Sequence, residues 1–86
     1  MADWVTHRVT DIEPPPDGVM TEEVGVVTGP LTLRSDLVGD VVTLWVQYRE
    51  ADEWYRVTGG ETRLVDPADL DAVHAIAVGL LNRPDG

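Results

Sequence analysis

Residues Thr43 to Val57 read TLWVQYREADEWYRV. Apolar and polar side chains alternate through Tyr48, stop at a short acidic turn, and alternate again from Glu53. A period of two is the signature of a strand, and two such runs around a polar turn make an antiparallel hairpin. With the turn centred on Ala51-Asp52, Arg49 opposes Trp54, Tyr48 opposes Tyr55, Gln47 opposes Arg56, Val46 opposes Val57 and Trp45 opposes Thr58. Opposed residues share a face. One face then collects Val42, Leu44, Val46, Tyr48, Tyr55 and Val57. The other collects Trp45, Arg49, Trp54 and Arg56 among threonines and Gln47. A one-residue slip would exchange the two faces, and the β-branched and aliphatic set is the better core.

The cover for that core comes from VDPADLDAVHAIAVGLLNRP, residues 65–84. Asp66 is the expected N-cap, Pro67 the first helical residue, and Asp69 stands three after the cap. Val65 and Leu70 have the spacing of a hydrophobic staple. Asp66, Asp69 and Asp71 lie where negative charge favours the helix dipole, which accounts for them without a metal. The helix is expected to run to about Leu81, stopped by Asn82, Arg83 and Pro84. Leu70, Val73, Ile76, Ala77, Leu80 and Leu81 cluster in one arc and are expected to meet the sheet. The outward side carries Ala68, Ala72, Ala75 and Gly79, flanked by Val78, rather than the charges of a solvated helix. This stripe of small residues is a second candidate contact face.

Outward from this pair, a first strand spans Trp4 to Ile12. Val5 and Val9 alternate there with Trp4, Thr6, Arg8 and Thr10. If it joins the same sheet, Trp4 and Arg8 fall beside Trp45, Arg49, Trp54 and Arg56 on the face away from the helix. EPPPDG, residues 13–18, is a stiff connection ending in a turn. Glu23 to Thr28 reads as a strand, Gly29-Pro30 as a bend, and Leu31 to Arg34 as a resumed strand, with RSDL turn-like. Asp40 to Glu50 and Glu53 to Thr58 are the hairpin. Gly59-Gly60 is expected to end it, leaving Thr62 to Val65 as a short edge strand. The fold class is α+β: an antiparallel sheet of four to five strands with one C-terminal helix on one face. The alternative is a small five-stranded barrel with an appended helix.

Composition bounds the function. The 86 residues make one domain, 1–86. A chain this short buries only roughly 60% of its unfolded surface, so its core is small. It has no cysteine, hence no disulfide and no thiol chemistry. The start of the chain has neither the basic nor the apolar region of a signal peptide, and no run approaches the ~20 apolar residues of a membrane span. A cytoplasmic protein is expected. Sixteen acidic against six basic residues give a net charge of −10. That disfavours a phosphate backbone or an anionic membrane as partner and permits a basic protein. All basic residues are Arg, and with the abundant Val, Ala, Gly, Asp and Pro this is the composition of a high-GC bacterial genome.

No catalytic, metal or cofactor site stands out. Ser35 is the sole serine, and His7 and His74 are the sole histidines. No pair has zinc-ligand spacing, and TGGETR lacks the setting and the lysine of a phosphate-binding loop. The Trp/Arg face is either covered by the chain itself, a homodimer interface, or a site for another protein or ligand. Trp and Arg dominate binding hot spots. The expected function is therefore a non-enzymatic acidic interaction or accessory module, working as a homodimer or on another protein, without a cofactor. The alternative is an acidic inhibitor, of the immunity-protein or nucleic-acid-mimic kind, that occupies the basic site of a toxin or nuclease.

Overall fold

A computed structural model describes residues 5–85. It is α+β: six antiparallel strands in one open sheet, and a C-terminal helix. The strands are β1 (Val5–Ile12), β2 (Val19–Thr21), β3 (Gly25–Val27), β4 (Leu31–Val38), β5 (Val41–Tyr48) and β6 (Tyr55–Arg63), in the order β1-β4-β5-β6-β2-β3. A 3₁₀ turn, Pro67–Asp69, leads into α1 (Leu70–Leu81). The open sheet excludes the barrel, and β2 is the strand that the composition did not announce.

The tightest hairpin joins β4 to β5 through Gly39-Asp40. Gly39 has φ 62°, which a two-residue turn of the primed kind requires at its first central position. RSDL is therefore not a turn but the body of β4. Leu31, Leu33, Ser35 and Leu37 are buried and alternate with half-buried Thr32, Arg34 and Asp36.

The β5–β6 pairing keeps the expected faces in a different register. Val46 pairs with Tyr55 and Trp45 with Arg56, two residues away from a turn centred on Ala51-Asp52. An even shift leaves every side chain on its face. Further along, Gly59-Gly60 does not end the strand. There one residue of β5, Leu44, faces four of β6, Val57 to Gly60, before Thr43 pairs with Glu61. Gly59 takes φ 77°, and a Cβ on Gly60 would lie 2.9 Å from that of Leu44. The glycines build a bulge, and the expected short edge strand is the continuation of β6.

The helix begins as its cap signals direct, with Asp66 accepting from the Ala68 N–H at 2.9 Å. The staple does not form, because Val65 is fully exposed while Leu70 is buried. Helix α1 packs on β1 and β4 rather than on the β5–β6 hairpin. It is rolled relative to the expected arc. Leu70, His74 and Ala77 are buried, Val73, Val78 and Leu81 half-buried, and Ile76 and Leu80 are 64% and 63% exposed. The cause is polar. Arg8 of β1 pairs with Asp71, Thr10 lies 2.8 Å from His74 Nε2, and the Glu13 N–H donates to Asn82. These ties draw the helix toward the β1 edge.

The main core gathers Ile12, Val19, Val27, Leu31, Leu33, Val46 and Ala77, with Leu44, Tyr55 and Val57 packed against it. Val19 and Val27 place the β2–β3 hairpin on the same side of the sheet as the helix. The other face carries no second layer among the described residues. No described helix is long and apolar enough to cross a membrane.

Candidate interaction surfaces

The outer face of the sheet is built by register. Val9 pairs with Arg34, Arg34 with Trp45, and Trp45 with Arg56, so these four form one row across β1, β4, β5 and β6. The next row toward the β4–β5 turn is His7, Asp36, Thr43 and Glu61. Trp54, at the entry to β6, folds against the face. The Arg34 guanidinium carbon sits 5.8 Å from the centre of its ring, and Arg34 Nε donates to Asp36 at 2.7 Å. Arg34, Asp36, Trp45 and Trp54 line an open cleft of about 270 Å³. Both tryptophans are half-buried. Stacking of this kind contributes about 0.5–1 kcal/mol at exposed sites, enough to orient Trp54 without sealing the cleft. Arg56, the neighbour of Trp45 in the row, is held by Glu23, which accepts from its backbone N–H and its Nε.

Of the residues expected on the Trp/Arg face, the structure thus brings together Trp45, Trp54 and Arg56. Arg34 and Asp36 join them, although the turn-like look of RSDL hid both. Arg8 lies elsewhere. Its phase on β1 is that of Ile12, so it points to the helix side and pairs with Asp71. Arg49 lies beyond the end of β5, donating to the carbonyl oxygens of Ile12 and Leu31. It ties strand ends together rather than joining the cleft. Trp4 lies outside the described residues.

The helix supplies a second surface. Ala68, Ala72, Ala75 and Gly79 are all exposed, and the roll of the helix adds Ile76 and Leu80 to them. Beside these two, an apolar groove of about 200 Å³ runs between α1 and the β6 bulge, floored by Val42 and Leu44. The bulge glycines make the groove, since a side chain at Gly60 would fill it from the Leu44 side.

One polar cluster went unanticipated. Ser35 Oγ lies 2.7 Å from His74 Nδ1, and Thr10 Oγ1 completes the imidazole on its other nitrogen. A serine beside a histidine is the beginning of a nucleophile–base pair. Here, however, Ser35 is 0% exposed and the histidine is buried beside it. The hydroxyls satisfy the two ring nitrogens, and the three residues bolt β1, β4 and α1 together. Burial pushes the His74 imidazole below its ordinary range. The Arg8 guanidinium adds to that, and the Asp71 carboxylate partly opposes it. The helical spacing put His74 only at the edge of the apolar arc, so the signal for its burial lay in Thr10 and Ser35, each polar at a core-facing position.

Among the described residues, no three or more His, Asp or Glu gather as a metal site. No protein-family model, no curated protein and no solved structure matches this chain.

Proposed function

We propose that the protein is a non-enzymatic interaction module, assembled as a homodimer, that contacts a protein partner through the outer face of its sheet. The observation that carries the reading is the cleft between Trp45 and Trp54, open on a face that no second layer covers among the described residues. Large aromatic side chains flanked by a fixed arginine are the usual anchors of a protein contact. Arg34 is held in place by Asp36 and Trp54, so little side-chain freedom remains to be lost on binding. The net charge of −10 steers a basic partner toward the molecule. Ser35, which lies against His74, is enclosed in the core away from any substrate, and Thr10 on the other side of the imidazole is half-buried beneath the helix.

Affinity capture from the producing cells tests the contact surface, comparing the wild type with a Trp45→Ala/Trp54→Ala variant. The variant should lose a partner that the wild type retains. Identical captures would remove the outer face from consideration. Sedimentation equilibrium tests the assembly, and a monomer mass at every concentration would refute the homodimer.

A further inference from the structure

We propose that the homodimer forms when a second copy of this chain adds to the free edge of β1, antiparallel and centred on Val9, so that the two sheets continue as one. The proposal rests on the homodimer reading and supplies the surface for it. Strand β1 ends the sheet, and no described strand lies on its far side. Its pairing with β4 runs without a bulge from Val5 to Ile12, it contains neither proline nor lysine, and its charges Arg8 and Asp11 are engaged within the molecule by Asp71 and Thr32. Proteins normally blunt an edge of this length with such devices, because its unpaired N–H and C=O groups recruit another strand. The opposite edge, β3, is only three residues long.

The residues of β1 select the register. In a two-fold pair that keeps both helices on one side, opposed residues must share a face. A pair centred on Arg8 would set Arg8 against Arg8, and one centred on Thr10 would set Val9 against Asp11. Centring on Val9 sets Val9 against Val9. It also sets His7 against Asp11, twice, on the outer face, and Arg8 against Thr10 on the inner face. This is the register with apolar contact on the axis and a histidine opposite an aspartate on either side. Val9 is 50% exposed on the outer face, with Arg34 beside it on β4 and no described strand on its other side.

The helix fits the same geometry. It sits over β1 and β4, held by Arg8 to Asp71 and Thr10 to His74. With strands ~4.8 Å apart, the two-fold axis lies about half that spacing outside β1, which places the two helices about 10 Å apart. Helices pack at 8–10 Å, and long side chains on the facing flank would hold these two apart. On that flank Ala75 is small and exposed, and Asp71 is short and engaged by Arg8, which leaves the room. In the joined sheet the two Trp45/Trp54 clefts open on the same outer face, about 20 Å apart by the same strand spacing, where one partner molecule can engage both.

The test combines sedimentation equilibrium with a symmetric cross-link. The chain has no cysteine, so Val9→Cys introduces a single thiol. Mild oxidation should join Val9→Cys into a covalent dimer, whereas Val38→Cys, exposed on the outer face at the end of β4, should not be joined. Val9→Lys puts two like charges on the axis and should weaken the dimer by at least about tenfold with an unchanged circular dichroism spectrum. Trp45→Ala should leave the dimer intact. If the wild type is a dimer that Val9→Lys leaves whole and Val9→Cys does not cross-link, the edge proposal falls and the homodimer stands. If the wild type is monomeric throughout, both fall. Should Val9→Lys fail to fold, the cross-link decides alone.

Discussion

Replacing Ser35 by alanine removes one oxygen from the most buried polar cluster of the molecule. The Ser35 side chain is 0% exposed, and its Oγ lies 2.7 Å from His74 Nδ1. In the variant that nitrogen loses its hydrogen-bond partner within a buried site, since His74 is itself only 8% exposed. A stranded buried polar atom costs about 1–3 kcal/mol, more than the ~1 kcal/mol net value of the bond itself. The hole left by one hydroxyl is too small to add much. A loss of about 2 kcal/mol lowers the melting midpoint of a chain this size by on the order of 10 °C. The double variant Ser35→Ala/His74→Leu removes both members of this bond and should recover part of the loss, because only the half-buried Thr10 hydroxyl is then left without its imidazole partner. Urea unfolding of the wild type, both single variants and the double variant closes the cycle, with an expected coupling of about 1–2 kcal/mol. A cost below about 0.5 kcal/mol for Ser35→Ala, or simple additivity in the cycle, would refute the claim that this contact bolts the helix to the sheet.

Acid should loosen the same cluster. His74 in the fold resists the proton that it accepts near 6.5 when unfolded. Its contribution is therefore complete above about pH 6.5 and declines as pH falls below that. The slope of urea stability between about pH 7.5 and 5 should flatten in His74→Gln. Asp66→Ala should cost about 1 kcal/mol through the lost cap, read from the same unfolding curves. Gly60→Ala should cost about 1–3 kcal/mol by overpacking against Leu44. Gly79→Ala, on the open face of α1 with no neighbour within reach, should instead stabilise by about 0.5–1 kcal/mol. Equal effects at the two glycines would contradict the tight approach at the bulge.

The elements that could be read from the sequence are those whose signals are local. The cap at Asp66, the alternation of β5 and the end of the helix at Leu81 needed no distant partner. The hairpin faces survived a wrong register because the error was two residues and not one. The misreadings share a physical origin: a polar residue faces the core and is answered from another element. Arg8, Thr10 and Ser35 look like a solvent face until Asp71 and His74 arrive from the helix. That inverted the phase of β1, hid half of β4 and set the roll of the helix wrongly. Gly59-Gly60 is equally ambiguous in sequence, since glycine marks both strand ends and bulges. For the same reasons, Trp45, Trp54 and Arg56 could be grouped from alternation alone. The place of Arg34 and Asp36 in the cleft required the β4–β5 register.

The β2–β3 hairpin is attached to the rest of the sheet by little backbone. Thr21 pairs with Val57, and the Glu22 N–H donates to the Arg56 carbonyl. The remaining ties, Glu22 with Thr58 and Glu23 with Arg56, are exposed. Yet Val19 and Val27 of this hairpin are 3% and 2% exposed and close over Ile12, Leu33 and Val46. In the language of local unfolding, the hairpin is the unit that detaches first, and its release uncovers the central floor of the molecule. Amide exchange in β2 and β3 should therefore be faster than in β4 and β5. It should quicken as salt screens the exposed Glu23–Arg56 ion pair, although the protein as a whole, relieved of self-repulsion at its net charge of −10, grows more stable under the same conditions.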